Sequence, residues 1–152
     1  MVQCMELPYQ RIISLYGAHT ENLFSLGLDK EIIGVSRHES YPAQALTKPV
    51  YSYHDDPEKF MAARPDLVLV RPMIDRGHPQ FVAQLENSGI TVVSLQPATV
   101  NEMYTYWKIL GVLTGRQAQA SEMISHFQNV SSNYKAVTSS IAVKKRVYFE
   151  SI

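Results

Sequence analysis

The sequence predicts an α/β fold: a Rossmann-like, doubly wound parallel sheet lobe followed by one long bridging helix. Three observations predict it. Short, mostly apolar runs alternate with helix-compatible stretches over the first two thirds of the chain. All eight prolines lie between Pro8 and Pro97, and the last of the seven glycines is Gly115. The final third, from Arg116 onward, has neither and carries one apolar stripe at helical spacing. Strands alternating with helices form βαβ units, whose sheets are parallel and covered on both faces. Right-handed crossovers then wind the helices around the sheet.

The elements follow in order. Arg11-Ile-Ile-Ser-Leu15 reads as a buried strand. Thr20 to Leu26 reads as a short helix, with Thr20 as N-cap and Gly27 as the stop. Ile32-Ile-Gly-Val35 is a second strand. Asp56-Pro57 pairs a capping acid with proline at the first helical position, opening a helix to about Ala63 that Pro65 ends. Leu67-Val-Leu-Val70 is a third strand. Pro79 opens a helix with Phe81, Val82 and Leu85 on one face and Gly89 as its stop. Ile90 to Leu95 is a fourth strand. Thr99 and Glu102 have the spacing of a capping box and open a helix that ends near Gly115.

Beyond it, Ala120, Met123, Phe127, Val130, Tyr134, Val137 and Ile141 recur at steps of three and four. That is one stripe on a helix spanning 116–143, packed along its own lobe or paired in a coiled coil. Lys144-Lys-Arg146 then leads into Val147-Tyr-Phe149, a strand signal that starts with no partner downstream. The division is therefore a lobe over 10–115, a long helix over 116–143, and the beginning of a further lobe over 146–152.

The 152 residues contain 14 Lys plus Arg and 14 Asp plus Glu, a net charge of zero. This excludes nucleic-acid binding by bulk electrostatics. With 45% hydrophobic residues the chain is too apolar for disorder. The single cysteine, Cys4, cannot form an internal disulfide or a Cys-based zinc site. No apolar run approaches the roughly 18 residues of a membrane span. The first residues lack the basic start and apolar core of a signal peptide, so either the chain is cytoplasmic or a leader is left out.

Ligands of open α/β sheets sit beyond the carboxyl ends of the strands. No G-x-G-x-x-G, phosphate loop or nucleophile elbow is found there. Paired carboxylates for acid–base work are absent, and Asp55-Asp56 reads as helix capping. What remains is a cationic, aromatic rim: Tyr16, Arg37, His38, Tyr41, Tyr53, His54, Arg71 and Arg76. Arginine forks suit carboxylate or phosphate, and aromatic rings stack on flat ligands. Each has a plainer role: Arg37 and Arg71 can pair with Glu39 and Asp75, Tyr41-Pro42 can be a simple turn, and His19 and His78 can be caps or surface residues. The histidines lack metal-ligand spacing, so no metal site is firm, and His38 and His54 are the two kept as candidate ligands.

The order of these motifs resembles that of ABC-transporter substrate-binding proteins that take iron–siderophores, haem or cobalamin. The resemblance is carried by Arg11 to Leu15, Thr20-Glu21, Leu26-Gly-Leu28, Ile33-Gly-Val35 and Tyr41-Pro42. It continues through Glu58 to Leu69 with its Arg-Pro-Asp step, Leu85 to Val93, and Leu110-Gly-Val-Leu-Thr-Gly-Arg116. It implies an N-terminal lobe of a two-lobe receptor, with ligand in the cleft and the helix from Arg116 as the bridge. It further implies no enzymatic activity and no intrinsic cofactor, a ferric chelate, haem or corrinoid as cargo, and a monomeric full-length protein. It also implies a periplasmic or lipid-anchored location, with Cys4 a candidate attachment point, and docking of Glu58 on arginines of an ABC permease. The arginines of the rim favour an acidic chelate such as a ferric siderophore. Two other readings stand beside it: an enzyme or sensor lobe on the same frame, and an interaction module that dimerises through the 120–141 stripe.

Overall fold

The computed structural model describes residues 7–150. Five parallel strands form one sheet in the order β3-β2-β1-β4-β5: β1 (Ile12–Ser14), β2 (Ile32–Ser36), β3 (Val50–Tyr51), β4 (Leu67–Val70) and β5 (Thr91–Ser94). The helices are α1 (Gly17–Ser25), α2 (Pro57–Ala63), α3 (Pro72–Gly77), α4 (Pro79–Asn87), α5 (Val100–Thr114) and α6 (Gln117–Ser139). The doubly wound parallel sheet expected from the sequence is present. The order reverses direction between β1 and β4, which is the switch point where such sheets open a crevice.

Alternation along each strand divides the core into two layers. Ile12, Leu67 and Leu69 face the layer built by Leu23, Tyr106, Trp107, Leu110, Ala120 and Ile124 of α1, α5 and α6. Ile13, Val68 and Val70 face Phe60, Ile74, Phe81, Val82 and Leu85 of α2, α3 and α4. Gly34 in β2 is required by this packing. A Cβ there would lie 2.5 Å from the Tyr51 ring, which itself packs against Phe60 with ring centroids 5.0 Å apart.

The central strand is held by Asp66. Its carboxylate accepts the backbone N–H groups of Gln10 at 2.8 Å and Arg11 at 2.9 Å. The Arg11 side chain in turn donates to the carbonyls of Arg64 at 3.0 Å and Ala63 at 2.7 Å, closing the end of α2. Arg64 sits there in the left-handed region at φ 51°, and Pro65 stops the helix.

Several local signals hold as read. Asp56 accepts from the Glu58 N–H, Gly27 and Gly89 have positive φ past their helices, and Thr99 accepts from the Glu102 N–H. The Glu102 carboxylate returns to the Ala98 N–H rather than to Thr99. Other expectations change. The first helix begins at Gly17, so Thr20 falls inside it and is a buried hydrogen-bonding residue rather than a cap. Two short elements, the 3-10 turn Ala43–Thr47 and β3, lie in a stretch without periodicity, and α3 occupies the segment read as a strand-end loop.

The last helix ends at Ser139, short of residue 143. Its first half packs on α5, where Gly111 lets Ala120 approach so closely that a Cβ on the glycine would meet the Ala120 Cβ at 2.9 Å. Its second half leaves Tyr134 and Val137 exposed, and Ile141 lies exposed past its end, so packing along the lobe covers only part of the stripe. Val147, Tyr148 and Phe149 form no strand and are exposed, because none of the described strands pairs with them.

Removing the carboxylate that anchors β1 should be costly. Asp66→Ala is expected to lower unfolding free energy by about 1–2 kcal/mol, since two charge-assisted bonds at the exposed start of β1 are exchanged for bonds to water. Urea denaturation measures this.

Candidate functional site

The carboxyl ends of four strands converge on one open cavity of about 450 Å³. The turn after β1 supplies Tyr16 and Gly17, and that after β2 supplies Ser36, Arg37 and His38. The segment after β3 supplies Ser52, Tyr53 and His54, and Arg71, Met73 and Ile74 follow β4. No Asp or Glu is among the lining residues.

Six of the eight rim residues read from the sequence, Tyr16, Arg37, His38, Tyr53, His54 and Arg71, therefore meet in this cavity. Two do not. Tyr41 is exposed and borders a separate groove beside α1, with Phe24 and Gln44. Arg76 is carried past the cavity by α3, whose helical turn was not foreseen. The ion pairs considered for the arginines are not formed either. The Arg71 guanidinium carbon lies over the Tyr16 ring, 4.9 Å from its centroid. Glu39 turns inward, where its Oε1 accepts from Ser36 Oγ at 2.6 Å, from Thr20 Oγ1 at 3.0 Å and from the Ser36 N–H at 3.2 Å. Those bonds pin the turn that carries Arg37 and His38 against α1.

Tyr53 packs against His54 at 4.2 Å and His78 at 4.6 Å between ring centroids, giving the rim an aromatic shoulder of mutually tilted rings. Asp55, beside it, is held below the usual carboxylate range mainly by its hydrogen bond from Lys59, with burial opposing. Among the described residues no three His, Cys, Asp or Glu side chains are grouped to hold a metal ion. The donors present suit an anionic or flat ligand rather than a bare cation.

The residue that sequence reading misplaced most is His19, which is 1% exposed. Its Nε2 faces the Val70 carbonyl at 3.0 Å, so Nε2 carries the proton, and Nδ1 accepts from the Tyr106 hydroxyl at 2.7 Å. Burial pushes the imidazole below its ordinary value, opposed by the Val70 and Leu95 carbonyls. Burial likewise pushes the Tyr106 hydroxyl well up, so it stays a donor. Nothing local announces these partners, which lie 51 and 87 residues away.

The sequence profile of the periplasmic binding protein family matches residues 12–152. The chain belongs to that family. An uncharacterized ABC transporter substrate-binding lipoprotein of Bacillus subtilis is 27% identical over 145 residues, 93% of this chain and 46% of the relative. A vitamin B12-binding protein of Vibrio cholerae is 33% identical over 98 residues, 63% of this chain and 35% of the relative. A solved structure described as a possible iron-binding (periplasmic solute-binding) protein from Staphylococcus epidermidis superposes with a TM-score of 0.80 at 29% identity, covering 92% of this chain and 55% of the other. The chain thus spans about half the length of the Bacillus subtilis and Staphylococcus epidermidis proteins it matches. No helix among its described residues is long and apolar enough to cross a membrane.

Buried neutral His19 makes stability depend on pH. The unfolded chain binds a proton at this residue near its ordinary value of 6.5, whereas the folded chain resists it to lower pH. Stability is therefore full above about 6.5 and falls as pH drops toward the folded value, at no more than about 1.4 kcal/mol per pH unit for one proton. Thermal melts between pH 7 and 5 should show this decline, and His19→Leu should flatten it. The contribution of Asp55 is lost only lower, as pH falls through its depressed carboxylate value.

Proposed function

We propose that this chain is the N-terminal lobe and linking helix of an extracytoplasmic solute-binding protein that delivers a ferric siderophore or related anionic metal chelate to an ABC permease. One observation carries the ligand class: Arg37, Arg71, His38 and His54 share the cavity with Tyr16 and Tyr53, and no carboxylate lines it. Guanidinium forks bind the carboxylate or catecholate oxygens of such a chelate, and the rings pack its flat faces. Family membership favours this binding reading over an enzyme or sensor lobe.

The uncovered second half of α6 supports a second lobe rather than a coiled-coil dimer. Its Val130, Tyr134 and Val137 continue the stripe that α5 covers earlier, and the relatives are about twice as long as this chain. On this reading the cavity is half of a cleft. The lipoprotein relative supports an anchored location outside the cytoplasm. Cys4, the candidate attachment point, lies outside the described residues.

A corrinoid is the second reading, favoured by the vitamin B12-binding relative. Thermal shift of the full-length protein with ferric enterobactin, ferric citrate, haemin and cobinamide separates the two. A ligand at 100 times its dissociation constant adds about 2.7 kcal/mol of stability. Stabilisation by a ferric chelate, weakened by about 1–3 kcal/mol in Arg71→Ala, is the expected result. Stabilisation by cobinamide alone would replace the anionic-chelate reading.

Glu58 stands exposed in the first turn of α2, away from the cavity-lining residues. There it favours the helix dipole and presents a free carboxylate to a basic partner. On the docking reading, Glu58→Ala reduces uptake by whole cells while ligand affinity of the purified protein is unchanged. Undiminished uptake would remove Glu58 from the interface.

A further inference from the structure

Two side chains that line the cavity, Tyr16 and Arg71, are braced by one that does not. The Tyr16 ring stands edge-on to the His19 imidazole, with centroids 5.2 Å apart and planes at 83°. The Arg71 guanidinium lies over the same tyrosine ring. Arg71 also follows Val70 directly, and the Val70 carbonyl accepts both His19 Nε2–H and the Leu95 N–H, each at 3.0 Å. The second imidazole nitrogen is held by Tyr106, from α5, which shares a core layer with α1.

We propose that His19 is a positioning residue for the anion-binding pair Tyr16–Arg71, fixing both the aromatic platform and the strand end from which the guanidinium extends. The inference rests on the reading of the cavity as an anion site. Its physical basis is the loss of rotational freedom. Both ring nitrogens of His19 are bonded, so a ring flip would break two hydrogen bonds in a buried site. The imidazole is therefore a fixed wall for Tyr16, and Tyr16 is a fixed platform for a long side chain that would otherwise sample many rotamers. Arg71 forms no ion pair among the described residues, which leaves its donors to a ligand. A hydrophobic residue of similar size would fill the volume of His19. It would remove one donor from the Val70 carbonyl and leave the Tyr106 hydroxyl without its imidazole acceptor.

The primary test is ligand-free. In the isotopically labelled 152-residue chain, the Arg71 Nε–H proton is expected upfield, shielded by the Tyr16 ring. His19→Leu should abolish that shielding. His19→Gln, whose amide N–H can still approach the Val70 carbonyl, should restore part of it. Unchanged shielding in a folded His19→Leu chain, or none in the wild type, overturns the proposal. If His19→Leu does not fold by circular dichroism, Tyr106→Phe and His19→Gln decide: shielding unaltered in both overturns it, and a graded loss supports it.

The second test is a double-mutant cycle on ferric citrate binding by the full-length protein. His19→Leu should weaken binding about tenfold, and by clearly less in an Arg71→Ala background, where only the Tyr16 platform is left to lose. Additive losses would make His19 an ordinary core residue. Wild-type protein that ignores ferric citrate counts against the anionic-chelate reading, and the shielding comparison then decides the positioning role alone.

Discussion

Asp66 fixes the strand on which the other elements are arranged. A parallel strand of three residues has little pairing of its own, and β1 lies in the middle of the sheet with a neighbour on each side. The two charge-assisted bonds from the Gln10 and Arg11 amides to one carboxylate hold its start beside β4. Arg11 ties the same point to the end of α2. With β1 placed, Ile12 and Ile13 enter opposite core layers, and every strand ends on the same edge of the sheet. The cavity is a consequence of that common edge.

Above the strand ends, polar side chains do what the apolar core cannot. Ser14, Thr20, Ser36 and Glu39 form a chain of short hydrogen bonds beneath the turn that bears Arg37 and His38. His19 does the same between β4 and α5. Burying such groups stabilises little in net terms, because each bond replaces one to water. Their effect is on geometry: a cationic rim held by directional bonds keeps a shape that dispersion alone would leave loose. Tyr106 shows the linkage most directly: from α5 its hydroxyl reaches His19 of α1, which in turn donates to the Val70 carbonyl at the end of β4.

The strands and most helix limits were legible because their causes are local. Pro57 after Asp56, glycine after α1 and α4, and the Thr99–Glu102 spacing act within a turn or two. The rim was legible in type because strand ends are where ligands gather, and six of its eight residues meet in one cavity. Tyr41 and Arg76 fell outside because their directions depend on a 3-10 turn and on α3, which have too few residues to show periodicity. His19 and Glu39 were read as surface or ion-pair residues for a different reason. His19 finds its partners on β4 and α5, and Glu39 joins nearby Ser36 to Thr20 of α1, so these roles exist only once the elements are packed together, and that arrangement is not encoded in the period of any one segment.

The apolar stripe of α6 keeps its spacing after the lobe stops covering it. From Ala120 to Phe127 the stripe rests on α5, yet Val130, Tyr134 and Val137 continue the same three- and four-residue steps into open space. A helix of 23 residues extends about 35 Å, and only its first half meets the lobe. Tyr134 and Val137 are 68% and 64% exposed, a burden for a chain that ends its packing there. A coiled coil would place apolar residues along the whole seam, including the half already buried on α5, and that half is unavailable to a second copy. Cover for the remaining half alone fits a lobe stacked end to end along the helix. Under that arrangement the same helix that closes one core also sets the distance between the two halves of a cleft, and the rim built on Arg37 and Arg71 forms one of its walls.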